Sequence, residues 1–288
     1  MNWKTIVRFL KGKRGPRTVG LALGGGGARG LAHIAVLEAF DELGVKPVAI
    51  AGTSVGAVMG AGYASGMTGA DIRRFALEVL RDSAKTTRRL VSLQLGLIRE
   101  SGLFSALPMQ ADALAISREF FKEVLPDNFE ELKIPLKVVA TDYWAREEIV
   151  FDSGPLLPAV AASAAIPGVA RPVEFAGRVL IDGGAINPLP FDLLRNAADI
   201  VVAVDITRME ERHDRTVPAA MDTLFMANHI MTYAIVAEKL KSSAPDILLR
   251  PKVHSFGALE FFRATPILRA AEPIKEETNR RLGELLNG

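Results

Sequence analysis

A short apolar run at residues 18–23 (TVGLAL) ends abruptly in four consecutive glycines, Gly24, Gly25, Gly26 and Gly27. A run of that length and composition reads as a buried strand. Four glycines in a row have no side chains to continue it and mark a turn instead. A helix is predicted over residues 29–43, with Gly44 as its stop signal. A second strand follows at 48–51, and a second helix is predicted from just past Ser54 towards Ser65. Strand–helix–strand–helix order implies parallel neighbouring strands, because a return in the same direction needs a crossover segment. The chain is therefore predicted to fold as a three-layer α/β/α sandwich with a mostly parallel central sheet.

Further strands are predicted at 136–141, 148–151, 179–181, 200–204 and 247–249. Residues 67–130 show helix-period patterns and are predicted to cover one end of the sheet, with 67–125 a candidate lid. Residues 218–241 are apolar nearly all round, which predicts a core helix; an apolar slot for an acyl chain is the other use of such a helix. A closing helix is predicted over 266–286.

The 288 residues are 49% hydrophobic and 24% charged, which excludes wholesale disorder. With no cysteine there is no disulfide framework, thiolate metal site or Cys nucleophile, so a reducing compartment such as the cytoplasm is permitted. A net charge of +2 gives no argument for a nucleic-acid partner. The first 17 residues carry six basic residues and no acid, with Trp3, Ile6, Val7 and Leu10 on one helical face. Such a segment can rest on an anionic membrane surface, here the inner face, and a frayed terminus or a helix packed on its own domain gives the same pattern. Residues 47–70 and 153–170 are uncharged, but glycines break the first and prolines the second, so neither reads as a membrane span. The predicted organisation is a basic segment at 1–17 followed by one domain at 18–288.

Gly52-Thr53-Ser54-Val55-Gly56 fits G-x-S-x-G between a predicted strand and a predicted helix. That setting lifts a serine hydroxyl above the sheet edge, with a helix N-terminus beneath it. A glycine-rich turn with an incidental serine produces the same string. Residues 24–30 (GGGGARG) offer backbone N–H groups unobstructed by side chains, suited to an oxyanion; Arg29 would add charge or anchor the loop through an ion pair. The same glycines satisfy G-x-G-x-x-G, but no acid lies between Glu42 and Asp71 to hold a ribose, which argues against a dinucleotide site. None of the histidines at 33, 213, 229 and 254 has a motif around it. His33 reads as packed, His213 as solvated and His229 as a satisfied core residue. Asp182 ends an apolar strand and is followed by Gly183 and Gly184, a place where sites gather and also an ordinary turn. Asp142 is a weaker candidate of the same kind.

In order and spacing, residues 24–30, 52–56, 162–167 (ASAAIP) and 182–188 (DGGAINP) resemble the patatin-like phospholipases, in particular the bacterial group similar to the neuropathy-target-esterase catalytic domain. The resemblance implies a Ser–Asp dyad, with Ser54 as nucleophile and Asp182 as general base. It assigns Gly25, Gly26, Gly27 and Arg29 to the oxyanion loop, and it implies neither a cofactor nor a metal. The implied substrate is a phospholipid, lysophospholipid or other acyl ester. A short-chain esterase or thioesterase would use the same dyad, and a non-catalytic membrane- or partner-binding protein on this fold is the rival from a different class.

Overall fold

The computed structural model describes residues 17–81, 111–208, 217 and 220–287. Strands β1 (Val19–Leu23), β2 (Ala49–Thr53), β3 (Leu136–Asp142), β7 (Ile200–Val204) and β8 (Ile247–Leu249) form a parallel run ordered β3-β2-β1-β7-β8. Strands β4 (Glu147–Phe151), β5 (Val173–Phe175) and β6 (Arg178–Asp182) add antiparallel pairings at the β3 end. The mostly parallel sandwich is the fold the sequence predicts.

The β3 end places the site. Residues Ile50 to Thr53 of β2 pair with Leu136 to Val139 of β3, and β6 pairs with the next stretch, Ala140 opposite Asp182. Strand β4 pairs with β3 all along residues 138–142. A strand has two edges, so β2 and β6 share the one that β4 leaves open. Thr53 and Asp182 thus sit opposite successive residues of one strand.

The two faces of the sheet are covered unequally. Leu21, Leu23, Val202 and Val204 are fully buried beneath α1 (His33–Glu42), α2 (Val55–Ala64) and their neighbours; burying each side chain contributes about 1.5–3 kcal/mol. The alternate residues Ala22, Ala49, Ala51 and Ala203 face the other side. They are small because a 3₁₀ turn, Phe191–Leu194, lies close against them, near enough that a Cβ on Gly20 would stand 3.3 Å from Leu194 Cβ. Helices α3 (Gly69–Arg81) and α4 (Ala113–Phe121) bear out the helical character of 67–130 within the described residues, and α5 (Leu156–Ser163) packs on β3 and β6. The chain ends in α6 (Ala220–Ser242), α7 (Ala264–Ala271) and α8 (Pro273–Asn287).

Several expectations need correction. Residues 27–32 form a 3₁₀ turn and α1 starts only at His33, because the glycine loop must pass over the sheet before a helix can begin. Helix α5 was hidden by its proline: Pro158 lies in the first turn, where its missing N–H has no helical partner to lose. The closing helix is two, with Pro273 opening α8 at the position that suits it. Helix α6 is not a core helix: Leu224, Ile230, Met231 and Tyr233 are exposed, and of its described side chains only Val236 is buried. Residues 1–16, 82–110 and His213 lie outside the described residues, and with them most of the basic segment and the middle of the candidate lid.

Candidate active site

Ser54 occupies the turn between β2 and α2 with φ 56° and ψ −126°. Positive φ on a side-chain-bearing residue is costly and persists only where the surroundings fix it. Here close packing does so. A Cβ on Gly56 would overlap the Leu23 and Gly24 carbonyls, and one on Gly52 would come within 2.7 Å of the Gly56 and Ala57 backbone. The flanking glycines of G-x-S-x-G are therefore steric requirements. The backbone N–H of Ser54 donates to Ser163 Oγ at 2.8 Å, and that hydroxyl donates onward to Val139 O at 2.6 Å. Thr53 Oγ1 donates to Asn187 O at 2.7 Å, tying the elbow to the segment after Asp182.

Ser54 Oγ donates to Asp182 Oδ2 at 2.6 Å. The other carboxylate oxygen accepts from Gly184 N at 2.7 Å, while Asp182 N donates to Ala165 O and Thr141 Oγ1 donates to Asp182 O. Burial raises the Asp182 carboxyl to about 6, with the Ser54 and Gly184 hydrogen bonds opposing that rise. The two side chains implied by the sequence resemblance are therefore in direct contact. Asp142 is not part of this group: its carboxylate accepts from Trp144 N and Ala145 N and pairs with Arg178 at 2.8 Å, a turn-forming role.

The glycine loop passes beside Ser54, close enough that a Cβ on Gly25 would stand 3.3 Å from Ser54 Cβ. Its N–H groups are not equivalent. Gly24 donates to Val204 O, Gly25 to Pro188 O at 2.9 Å and Ala28 to Ala258 O at 2.7 Å. Among the described residues Gly26 N and Gly27 N donate to no protein acceptor, so these two remain for a ligand, and Gly25 N is already committed. Fully buried His33 donates from Nε2 to Gly24 O at 2.8 Å, its Nδ1 has no partner, and burial lowers it to about 4, so it stays neutral.

Arg29 is almost wholly buried, and among the described residues it makes no ion pair at contact distance. Its Nε donates to Gly26 O at 3.2 Å, and its two terminal nitrogens lie 3.0 and 3.4 Å from the ring nitrogens of His229. Burial lowers Arg29 to about 10, partly offset by Asp205. His229, read from sequence as a core residue, instead lines a cavity with Ser54 and Asp182.

Two cavities meet at Ser54. One of about 260 Å³ has the polar side chains of Arg29, Thr207, Asn228, His229 and Thr232 on its border, beside apolar ones such as Phe225. The other, about 510 Å³, is walled by apolar side chains of α2, α3 and α4, including Val58, Phe75, Ile116 and Phe121. Gly27, Ser54, Ile166 and Leu259 border both. Among the described residues no cluster of His, Asp and Glu could hold a metal, and no helix is long and apolar enough to cross a membrane.

Fold and site together define a three-layer α/β protein organised round a serine elbow that touches a buried carboxylate. Residues 21–195 match the family described as patatin-like phospholipase, and the chain belongs to that family. It is 38% identical over 205 residues to an uncharacterized NTE family protein of Mycobacterium tuberculosis, covering 70% of this chain and 52% of that protein. It is 31% identical over 213 residues to the human patatin-like phospholipase domain-containing protein 6, covering 73% of this chain and 14% of that protein. The chain thus spans about half or less of these relatives. Among solved structures, VipD from Legionella pneumophila aligns with a TM-score of 0.49 and 15% identity, over 92% of this chain and 67% of that one.

Proposed function

We propose that this chain is a serine lipid acyl hydrolase acting on the fatty-acyl esters of phospholipids or lysophospholipids. The observation that carries the reading is the 2.6 Å hydrogen bond from Ser54 Oγ, held in a strained elbow, to the buried Asp182. Ser54 Oγ attacks the ester carbonyl while Asp182 takes its proton. The N–H groups of Gly26 and Gly27 hold the oxyanion, and Asp182 then protonates the leaving alcohol. Water, deprotonated by Asp182, releases the fatty acid from Ser54. A carboxylate near its ordinary value of about 3.9 is a weak base at neutral pH; burial moves Asp182 up to about 6, closer to the working range. The larger apolar cavity suits the acyl chain and the smaller one the leaving alcohol, and 510 Å³ lies within the usual span of ligand pockets, about 300–1,000 Å³.

The test is fluorophosphonate labelling of the full chain with peptide mapping. The expected result is an adduct on Ser54 that is lost in Asp182→Asn, together with hydrolysis that rises with pH through about 6. No adduct, even with detergent or anionic lipid present, assigns the chain to non-catalytic binding.

A further inference from the structure

Arg29 presents a problem that the proposed chemistry leaves open. A buried guanidinium is costly unless it is paired, and a carboxylate is the ordinary partner. The nearest candidate, Asp205, acts on Arg29 only at a distance. Its own oxygens accept from Arg250 Nε at 3.0 Å and from the N–H and hydroxyl of Thr207 at 2.9 and 2.7 Å. What meets Arg29 at contact distance is the ring of His229, carried in by a helix 200 positions further along the chain.

An imidazole accepts a hydrogen bond only when neutral, and then at one nitrogen. The shorter contact, 3.0 Å from Arg29 to Nδ1, marks Nδ1 as that acceptor. Nε2 then carries the proton, and the Thr207 backbone accepts a hydrogen bond from the ring. The groups facing this ring are Arg29 from the 3₁₀ turn and Asp205 and Thr207 from the segment after β7. Burial first, then the charge of Arg29, lowers His229 to about 4, so the ring stays an acceptor wherever Asp182 is ionised.

On its other side Arg29 holds the loop. Nε donates to the carbonyl of Gly26, the residue whose own N–H is free and whose carbonyl fixes the plane of the Gly27 N–H. The geometry points to His229 as a positioning residue of the acyl-transfer site: it seats Arg29, and Arg29 holds the Gly26–Gly27 peptide so that its N–H meets the oxyanion. This assignment rests on Gly26 and Gly27 being the oxyanion donors. His229 does no proton transfer in it. Helix α6 thereby acts on the oxyanion loop through the His229 ring, although most of its length faces solvent.

Hydrolysis of p-nitrophenyl butyrate by the full chain tests this, with thermal melts to check folding. His229→Leu removes the acceptor at similar bulk. It is expected to lower kcat about 10- to 100-fold, less than the roughly 100- to 1,000-fold loss seen when an oxyanion donor is removed outright. KM should stay within about threefold, because the oxyanion forms only in the transition state. His229→Gln, whose side-chain oxygen can accept from Arg29, should recover most of that loss. Arg29→Met should lower kcat to a similar degree, and the double variant should be no worse than Arg29→Met alone, since the two residues act in series. A kcat for His229→Leu within twofold of the wild type, or single losses that multiply in the double variant, overturns the assignment. If His229→Leu melts early, the His229→Ala, Arg29→Met and His229→Ala/Arg29→Met set carries the same additivity test. A wild-type chain that neither hydrolyses the ester nor forms the Ser54 adduct overturns the acyl-hydrolase reading itself, which active wild type with unchanged variants does not.

Discussion

The serine elbow and the glycine loop lie side by side, yet they are held in different ways. The elbow is fixed mainly by backbone, through the close approach of Gly52 and Gly56 to neighbouring carbonyl and amide groups and the register of β2 on β3, with one side-chain tether, the Ser54 N–H on Ser163 Oγ. The loop is anchored at its ends by backbone, Gly24 N on Val204 O, Gly25 N on Pro188 O and Ala28 N on Ala258 O, but its Gly24 and Gly26 carbonyls are held by side chains, His33 and Arg29, with His229 behind Arg29. Both store unfavourable terms: the elbow a positive φ at Ser54 and a buried carboxyl at Asp182, the loop a buried guanidinium at Arg29 set against a neutral His229 ring. The nucleophile is thus set by parts that few substitutions can adjust, whereas the Gly26 carbonyl of the oxyanion loop is set by side chains that a single substitution removes.

The sharpest test of that contrast is a pair of alanines. Gly56→Ala drives a Cβ into two backbone carbonyls and is expected to cost more than about 4 kcal/mol, lowering Tm by about 10 °C or abolishing folding. Gly26→Ala meets chiefly the end of the Ile206 side chain, at 2.8 Å from Cδ1, which can shift. Its expected cost is about 1–3 kcal/mol. Equal losses in thermal melts would break the contrast.

Next in size is Asp182→Asn, which should stabilise the protein while abolishing turnover. The folded carboxyl titrates near 6, above its unfolded value of about 3.9. Between those values the unfolded chain has lost a proton that the folded chain still holds, so this group's contribution to stability falls as pH rises from about 4 to 6. The full penalty, roughly 3 kcal/mol, is present above that window. The Tm of Asp182→Asn minus that of the wild type should therefore be near zero at pH 4 and grow to a plateau above pH 7. A difference that is flat across this range would mean that the carboxyl is not penalised by burial. Smaller again is Ser163→Ala, which leaves the buried Ser54 N–H without its acceptor at about 1–3 kcal/mol. Tm should fall by a few degrees, and kcat should fall with it as the elbow loses its tether; an unchanged kcat would show that the glycines alone hold the turn.

What the sequence displayed and what it hid follow the same division. The elbow was legible because its glycines are local steric requirements, and Asp182 because it ends an apolar strand before two glycines. The free N–H groups of the loop were not legible as a set: Gly25 is occupied by Pro188, a partner 163 positions away that no local pattern announces. Ser163 belonged to a string of small residues without visible chemistry until α5 set it under the elbow. His229 was misread together with its helix, because an all-round apolar pattern ordinarily means burial, and α6 departs from that rule along its solvent face. Strand β5, with three residues, was too short for periodicity to register.

Strand β3 acts as a ruler. Thr53 and Asp182 are read off successive positions, Val139 and Ala140, so Asp182 and the residue that leads into Ser54 are set one step of a strand apart, about 3.3 Å of rise. Apart from α2 and the Ser163–Ala165 segment, which hold the elbow and Asp182, the connections that lead from Ser54 to β3 and from β4 to β6 contribute nothing to that measurement. Outside those contacts, residues can be inserted into or deleted from either connection without retuning the hydrogen bond between nucleophile and carboxylate. The reactive pair is insulated from changes in loop length, and the same pair can persist while the walls around it are rebuilt.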